Sequence, residues 1–246
     1  MPIRPATYPD LLPASKILAS AFHDEALFGA YFHPHRATYP DDMHLFFLRK
    51  LRVDWARSST DPSSLQIMLS HPPSEPGKIT GVAVWLRKRS ESRQDSWNTA
   101  ALVKAMEATN AAEALVYPNR AAEPANHGIL AANEPFVKHH WTGSRADSWY
   151  LDVLGVDPAA GGHGYGKALV KHGFGLAEAD GVGASVIAAL DKGAFYEAMG
   201  FDVFVGTVRD FGGEANPMVG REGLGGTIHF WDGGREVVGV KGYGEP

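Results

Sequence analysis

The chain has 246 residues, 44% hydrophobic and 21% charged, which is enough apolar material for one large domain or two small ones. It contains 0 Cys, so disulfides, thiolate nucleophiles and Cys-based zinc sites are excluded, and the cytosol is the favoured compartment. A net charge of -5 and a pI near 6.1 argue against nucleic acid as a partner, and the absence of an apolar run near the roughly 20 residues that span a bilayer argues against a membrane.

In chain order, residues 3–6 read as a short strand bounded by Pro2 and Pro5. Tyr8, Pro9 and Asp10 then open a helix. Its apolar positions Leu11, Leu12, Ala14, Ile17, Leu18 and Phe22 recur at spacings of three and four, which predicts one buried face. His23, Asp24 and Glu25 fall at its end, either as a solvated terminus or as part of a cleft mouth. His33 and His35 flank a proline and lack a third ligand at metal spacing, so they read as loop histidines and no metal site is expected. A second helix begins at Asp41, with Arg49, Lys50, Arg52 and Arg57 expected on a solvated face.

Residues 65–69 and 79–86 read as an antiparallel hairpin, and the charged stretch 87–93 as an exit from the sheet. Residues 95–116 are expected to be helical and 118–133 to be loop. We expect a single domain over 1–246, with 90–148 as a helical and loop insertion and 220–246 as a Gly-rich C-terminal hairpin extension. That hairpin would pair 227–231 with 236–241.

Residues 149–156 form an apolar strand pattern broken by Asp152, a carboxylate that would be costly to bury idle. The strand runs into Gly161, Gly162, His163, Gly164, Tyr165 and Gly166, and a helical pattern follows over 167–180. Strand, glycines, helix is an order that presents backbone N–H groups and a positive helix end to phosphate or pyrophosphate. Further strands are expected at 184–190 and 202–208. Between them lies a short helix over 193–199, with Asp191 as its cap and Gly200 as its stop.

Val156, Pro158 and the run from Gly161 to Gly166, followed downstream by Phe195, Tyr196, Gly200 and Phe201, resemble the GNAT superfamily of acyl-CoA-dependent N-acetyltransferases. The resemblance implies an α/β (α+β) fold: a mixed, mostly antiparallel central sheet flanked by helices and splayed at the two strands around the Gly-rich loop. It implies acetyl-CoA as cosubstrate, with no metal expected; it permits a homodimer, and as acceptors aminoglycosides, polyamines, peptides or histones alike. The acidic chain, the long insertion and the aromatics Phe22, Phe28, Tyr31, Phe32 and Trp149 point among these to a primary amine of a small molecule or amino-acid-like metabolite. By the same resemblance Leu154, Gly155 and Val156 meet the pantetheine arm. Gly161, Gly162, His163, Gly164, Tyr165, Gly166 and Lys167 surround the pyrophosphate. Gly161 stands where the family has Gln or Arg, which removes a side-chain contribution and leaves the backbone amides.

Acetyl transfer to an amine needs a neutral amine, a polarised thioester carbonyl and a protonated leaving thiolate. Tyr196 matches the family's proton donor, and a backbone N–H at Leu154 or Val156 matches the position that polarises the carbonyl. Asp152 stands where it could take a proton directly or through water, bind a cationic acceptor, or serve as a hydrogen-bonded structural carboxylate. Two other readings stay open: a non-catalytic acyl-CoA or metabolite sensor of the same fold, and a dinucleotide-binding enzyme. Against the second, the glycines lie behind Pro158, out of the G-x-G-x-x-G register.

Overall fold

The computed structural model describes residues 1–91 and 94–245. Positions 92 and 93, the end of the charged stretch expected to leave the sheet, lie outside the described residues. Seven strands form one sheet in the order β1-β2-β3-β4-β5-β7-β6, and the chain divides into two compact units.

The first unit comprises Met1–Leu86, 94–123 and Asp152–Val170. It holds β1 (Ile3–Pro5), α1 (Leu11–Ala21), α2 (His44–Thr60), β2 (Leu65–Ser70) and α3 (Trp97–Val116). Most of β3 (Gly81–Lys88), the second half of β4 (Ser148–Val156) and the start of α5 (Tyr165–Ala179) also belong to it. β1 pairs antiparallel with β2, and β2 with β3 from Leu65↔Leu86 to Ser70↔Gly81. Leu11, Ala14, Leu18, Phe47, Leu51, Ile67, Leu69, Val82 and Val153 close the core. Burying a Leu or Phe stabilises by roughly 1.5–3 kcal/mol, which outweighs the few tenths that Phe, Val and Trp cost within α2.

Leu12, expected on the buried face, is 45% exposed, because one step along a helix turns the side chain by about 100° from Leu11. The basic side of α2 also differs from expectation, since it clasps α3. Arg52 makes two bonds to Glu113 at 2.7 and 3.0 Å, and Arg49 Nη2 donates to Tyr117 O at 2.6 Å. Arg57 lies 3.5 Å from Asp95. At the end of α1, Glu25 accepts from the N–H groups of Leu27 and Phe28 and so caps a π-helical turn over Ala26–Tyr31.

The second unit comprises 87–91, Pro124–Leu151 and 171–245. It holds α4 (Ile129–Val137), the first half of β4, the rest of α5, β5 (Gly183–Ala188), α6 (Gly193–Met199), β6 (Val203–Thr207) and β7 (Thr227–Trp231). β4 runs parallel to β5 from Ser148↔Gly183 to Leu151↔Val186. Among the described residues that ladder ends there, while β4 continues to Val156, as expected of strands that part at the Gly-rich loop.

The expected partner of β7 is replaced. β7 pairs antiparallel with β5 on one edge and with β6 on the other, so neither edge is free for 236–241. Those residues run as loop, tied down by Ser144 N donating to Val238 O at 2.9 Å. The segment expected to be loop up to residue 133 contains the first half of α4. There Asn133 is buried and donates to Val208 O and Asn216 Oδ1, which anchors a helix of otherwise modest length. Residue 192, not Asp191, precedes α6; Asp191 pairs with Lys192 on the surface at 2.6 Å.

Candidate active site

The glycine loop is built by local backbone geometry in the first unit. After β4, Asp157 N donates to Thr80 O at 2.8 Å and a 3-10 turn at Pro158–Ala160 reverses the chain. Gly162 and Gly164 then take φ of +77° and +79°, the left-handed region that a Cβ disfavours. No heavy atom lies within 4 Å of where a Cβ would stand at either position, so the loop is open there. α5 starts at Tyr165, and the first N–H groups of a helix have no partner inside it.

Gly161 N is engaged with Pro158 O at 3.3 Å, whereas among the described residues the amides of 162–165 donate to no backbone carbonyl. The free donors therefore begin one residue later than the expected cradle. His163 turns its Nδ1 toward the carbonyls of Gly161 and Ala160, at 2.8 and 3.2 Å, and so ties up acceptors that would repel an anion. Lys167 is exposed, while Tyr165 is buried at 7% exposure with its ring 6.2 Å from that of His163. What the loop offers is a row of N–H groups at a helix start, an arrangement of backbone donors that suits an anion.

Along β4 the side chains alternate. Leu151, Val153 and Gly155 face inward, while Asp152, Leu154 and Val156 share the half-exposed face. A Cβ at Gly155 would stand 2.8 Å from Leu18 Cδ2 and 3.2 Å from Ala21 Cβ, so glycine lets α1 approach the strand. Packing by itself accounts for Gly155.

Asp152 enters a charge cluster that sequence reasoning missed. Lys50 Nζ lies 2.6 Å from Asp54 Oδ2 and 2.6 Å from Asp152 Oδ2. The contact with Asp54 is a formed hydrogen bond; that with Asp152 is an ion pair without hydrogen-bond alignment. Burial pulls the Lys50 ammonium down, but the two carboxylates outweigh it and hold it above the usual lysine range. Burial pushes the Asp54 carboxyl up, with Asp152 adding to the rise and Lys50 opposing it. The available signal was the i,i+4 spacing of Lys50 and Asp54; nothing local pointed to Asp152 as their third member.

Tyr196 belongs to the second unit. Its ring is 8% exposed, edge-on to Phe195 at 5.0 Å and to Phe201 at 5.7 Å, and Phe201 leads on to Phe174 and Trp231. Burial pushes its phenol above the ordinary tyrosine value, so it stays protonated through the neutral range. Gly200, with φ of +113°, ends α6 and lets Phe201 fold back under it. His229, also unremarked in the sequence, is 1% exposed with neither ring nitrogen hydrogen-bonded among the described residues, and burial lowers its pKa. A Cβ on Gly193 would stand 3.4 Å from His229 Nε2, so α6 begins directly over this histidine. Phe32 and Trp149, grouped in the sequence with aromatics suited to an acceptor, are 1% and 2% exposed and serve the core.

Residues 89–201 match the family model described as Acetyltransferase (GNAT) family, a span that takes in the glycine loop and Tyr196 and also the whole of 90–148. The solved structure of a protein described as histone acetyltransferase HPA2 and related acetyltransferase, from Corynebacterium glutamicum ATCC 13032, superposes with a TM-score of 0.51 at 18% identity over 94% of each chain. A second, described as an acetyltransferase, gives 0.50 at 13% identity over 94% of this chain and 99% of its own. These two likenesses carry the fold. A search of curated proteins found no match. No helix among the described residues is long and apolar enough to cross a membrane.

Proposed function

We propose that the chain, whose residues 89–201 match the GNAT acetyltransferase family model, transfers an acetyl group from acetyl-CoA to a primary amine of a small molecule or amino-acid-like metabolite. The observation that carries this reading is the row of free amides over 162–165 at the head of α5. It suits a pyrophosphate, and the open space beside Gly162 and Gly164 admits one.

Acetyl-CoA supplies an acetyl thioester. The amides of Gly162, His163, Gly164, Tyr165, Gly166 and Lys167 hold the pyrophosphate, and the backbone of Leu154, Gly155 and Val156 aligns the pantetheine arm. An N–H of Leu154 or Val156 polarises the thioester carbonyl, which stabilises the charge that develops on its oxygen. Asp152 takes the proton that an ammonium acceptor must lose before its lone pair can attack. Tyr196 gives its proton to the departing sulfur, and its raised pKa keeps that proton in place until the sulfur leaves.

The acceptor is a small amine because the chain is acidic overall and the half-exposed face of β4 carries a carboxylate. Thermal stabilisation by acetyl-CoA and not by NAD(H) is the expected result. A ligand at 100 times its Kd stabilises by about 2.7 kcal/mol, well within detection. Release of free thiol in the presence of one member of an amine panel then distinguishes an enzyme from a sensor. No stabilisation by any CoA species would overturn the proposal.

A further inference from the structure

Lys50 has no assigned role, yet its ammonium sits between two carboxylates at 2.6 Å from each. Of the two, Asp54 is the more enclosed, with a side chain 9% exposed against 22% for Asp152. The cluster carries one positive and two negative charges, and like charges held this close do not both ionise freely. Arg57, three residues beyond Asp54 on α2, adds attraction to Asp54.

The geometry of the two contacts differs in a way that matters for chemistry. Lys50 donates a formed hydrogen bond to Asp54, whereas Asp152 Oδ2 is charge-compensated and yet receives no aligned hydrogen bond. Asp152 Oδ2 is buried against the Lys50 ammonium, so the oxygen left for a proton on this 22% exposed side chain is Oδ1. Asp152 also stands on the half-exposed face of β4 together with Leu154 and Val156.

We propose that Lys50 is the positioning residue of Asp152 and that Asp54 sets the charge of the cluster, so that the three act as one acid–base unit for deprotonating the acceptor amine. This rests on the reading of the chain as an amine acetyltransferase. In the step concerned, the acceptor ammonium loses one proton, the N–H bonding pair stays on nitrogen as its lone pair, and the Asp152 carboxylate binds the proton directly or through one water. Lys50 keeps its own protons throughout.

The test compares wild type with Lys50→Met, Lys50→Arg and Asp54→Asn. Its two readouts are the pH profile of kcat/KM, with acetyl-CoA and an amine turned over by wild type, and a ¹³C NMR titration of the aspartate carboxyls. Lys50→Met is expected to move the Asp152 midpoint up by about a unit or more and the acid limb of the profile with it. Asp54→Asn is expected to move both down, and Lys50→Arg to lie near wild type in midpoint. KM for acetyl-CoA should not change.

Opposite shifts from the two single variants are the signature, since damage to packing would not change sign with the charge removed. Unmoved Asp152 midpoints in Lys50→Met and Asp54→Asn would overturn the proposal. If Lys50→Met does not fold, Asp54→Asn decides alone: a downward shift supports the unit and an unchanged limb overturns it. A wild type that transfers acetyl groups with a limb insensitive to these variants overturns this inference only. A wild type that transfers none to any amine overturns the functional reading beneath it.

Discussion

The glycine loop and the Lys50–Asp54–Asp152 cluster belong to the same unit and illustrate two ways of building a site. The loop is made of backbone: two glycines at positive φ, a helix start and a run of amides contiguous in sequence. The cluster is made of side-chain charge, brought together from α2 and β4 across about a hundred residues of chain. A backbone site tolerates change in its side chains and not in its conformation. A charge cluster behaves the other way round, since every member sets the ionisation of the others.

That contrast can be broken or sharpened by substitution, beginning with the largest effect. Tyr196→Phe removes the proposed proton donor and is expected to lower kcat by roughly 10²-fold or more while leaving acetyl-CoA affinity within about twofold. Isothermal titration beside steady-state kinetics checks both. Unchanged turnover would strip Tyr196 of its role. Its phenol also has a pH consequence. The folded-state pKa lies above the unfolded value of about 10, so the stabilisation is present below that pH and is lost as pH rises past it. Thermal melts of Tyr196→Phe above pH 10 should fall less steeply than those of wild type.

Next comes Gly164→Val. The substitution meets no neighbouring atom, so any effect arises from a β-branched residue forced to φ of +79° and from a side chain placed where a phosphate would lie. The strain costs about 1–2 kcal/mol, and acetyl-CoA affinity is expected to fall by more than about tenfold. Binding measured by titration, with far-UV circular dichroism to confirm the fold, would contradict the backbone reading if affinity were retained.

Lys50→Met leaves two carboxylates facing each other without their cation. Losing one partner of a buried pair costs about 3–5 kcal/mol; the Lys50 side chain is 28% exposed, so about 2 kcal/mol is expected here. Urea denaturation at pH 7 reads this, and lowering the pH toward 5 should recover part of the loss as a carboxylate takes up a proton. The smallest effect belongs to His163→Ala. If the loop binds through backbone, removing this exposed ring should change acetyl-CoA affinity by less than about threefold. A tenfold loss would show that the loop works through side chains after all.

Legibility in the sequence followed the range of the interaction. The bounds of α6, the stop at Gly200 and the core of β4 were readable because helix period, strand alternation and C-terminal glycine are properties of a few adjacent residues. The supposed hairpin at 227–241 failed for the complementary reason. Asp232, Gly233 and Gly234 do form a turn signal, but the edges of β7 were already taken by β5 and β6, and nothing in the local sequence records an occupied edge. Likewise the basic residues of α2 could not announce their partners in α3, since a solvated charge and a paired one have the same local pattern.

The sequence by itself determined the strand–glycines–helix unit, the position of Tyr196 on a short helix and the family to which both point, because each depends on neighbours in the chain. Only the tertiary structure decided what Asp152 is bound to. Its environment is set by Lys50 and Asp54, whose charges reach it through space and not along the backbone. Coulomb energy depends on distance and burial, and neither is written in the spacing of residues.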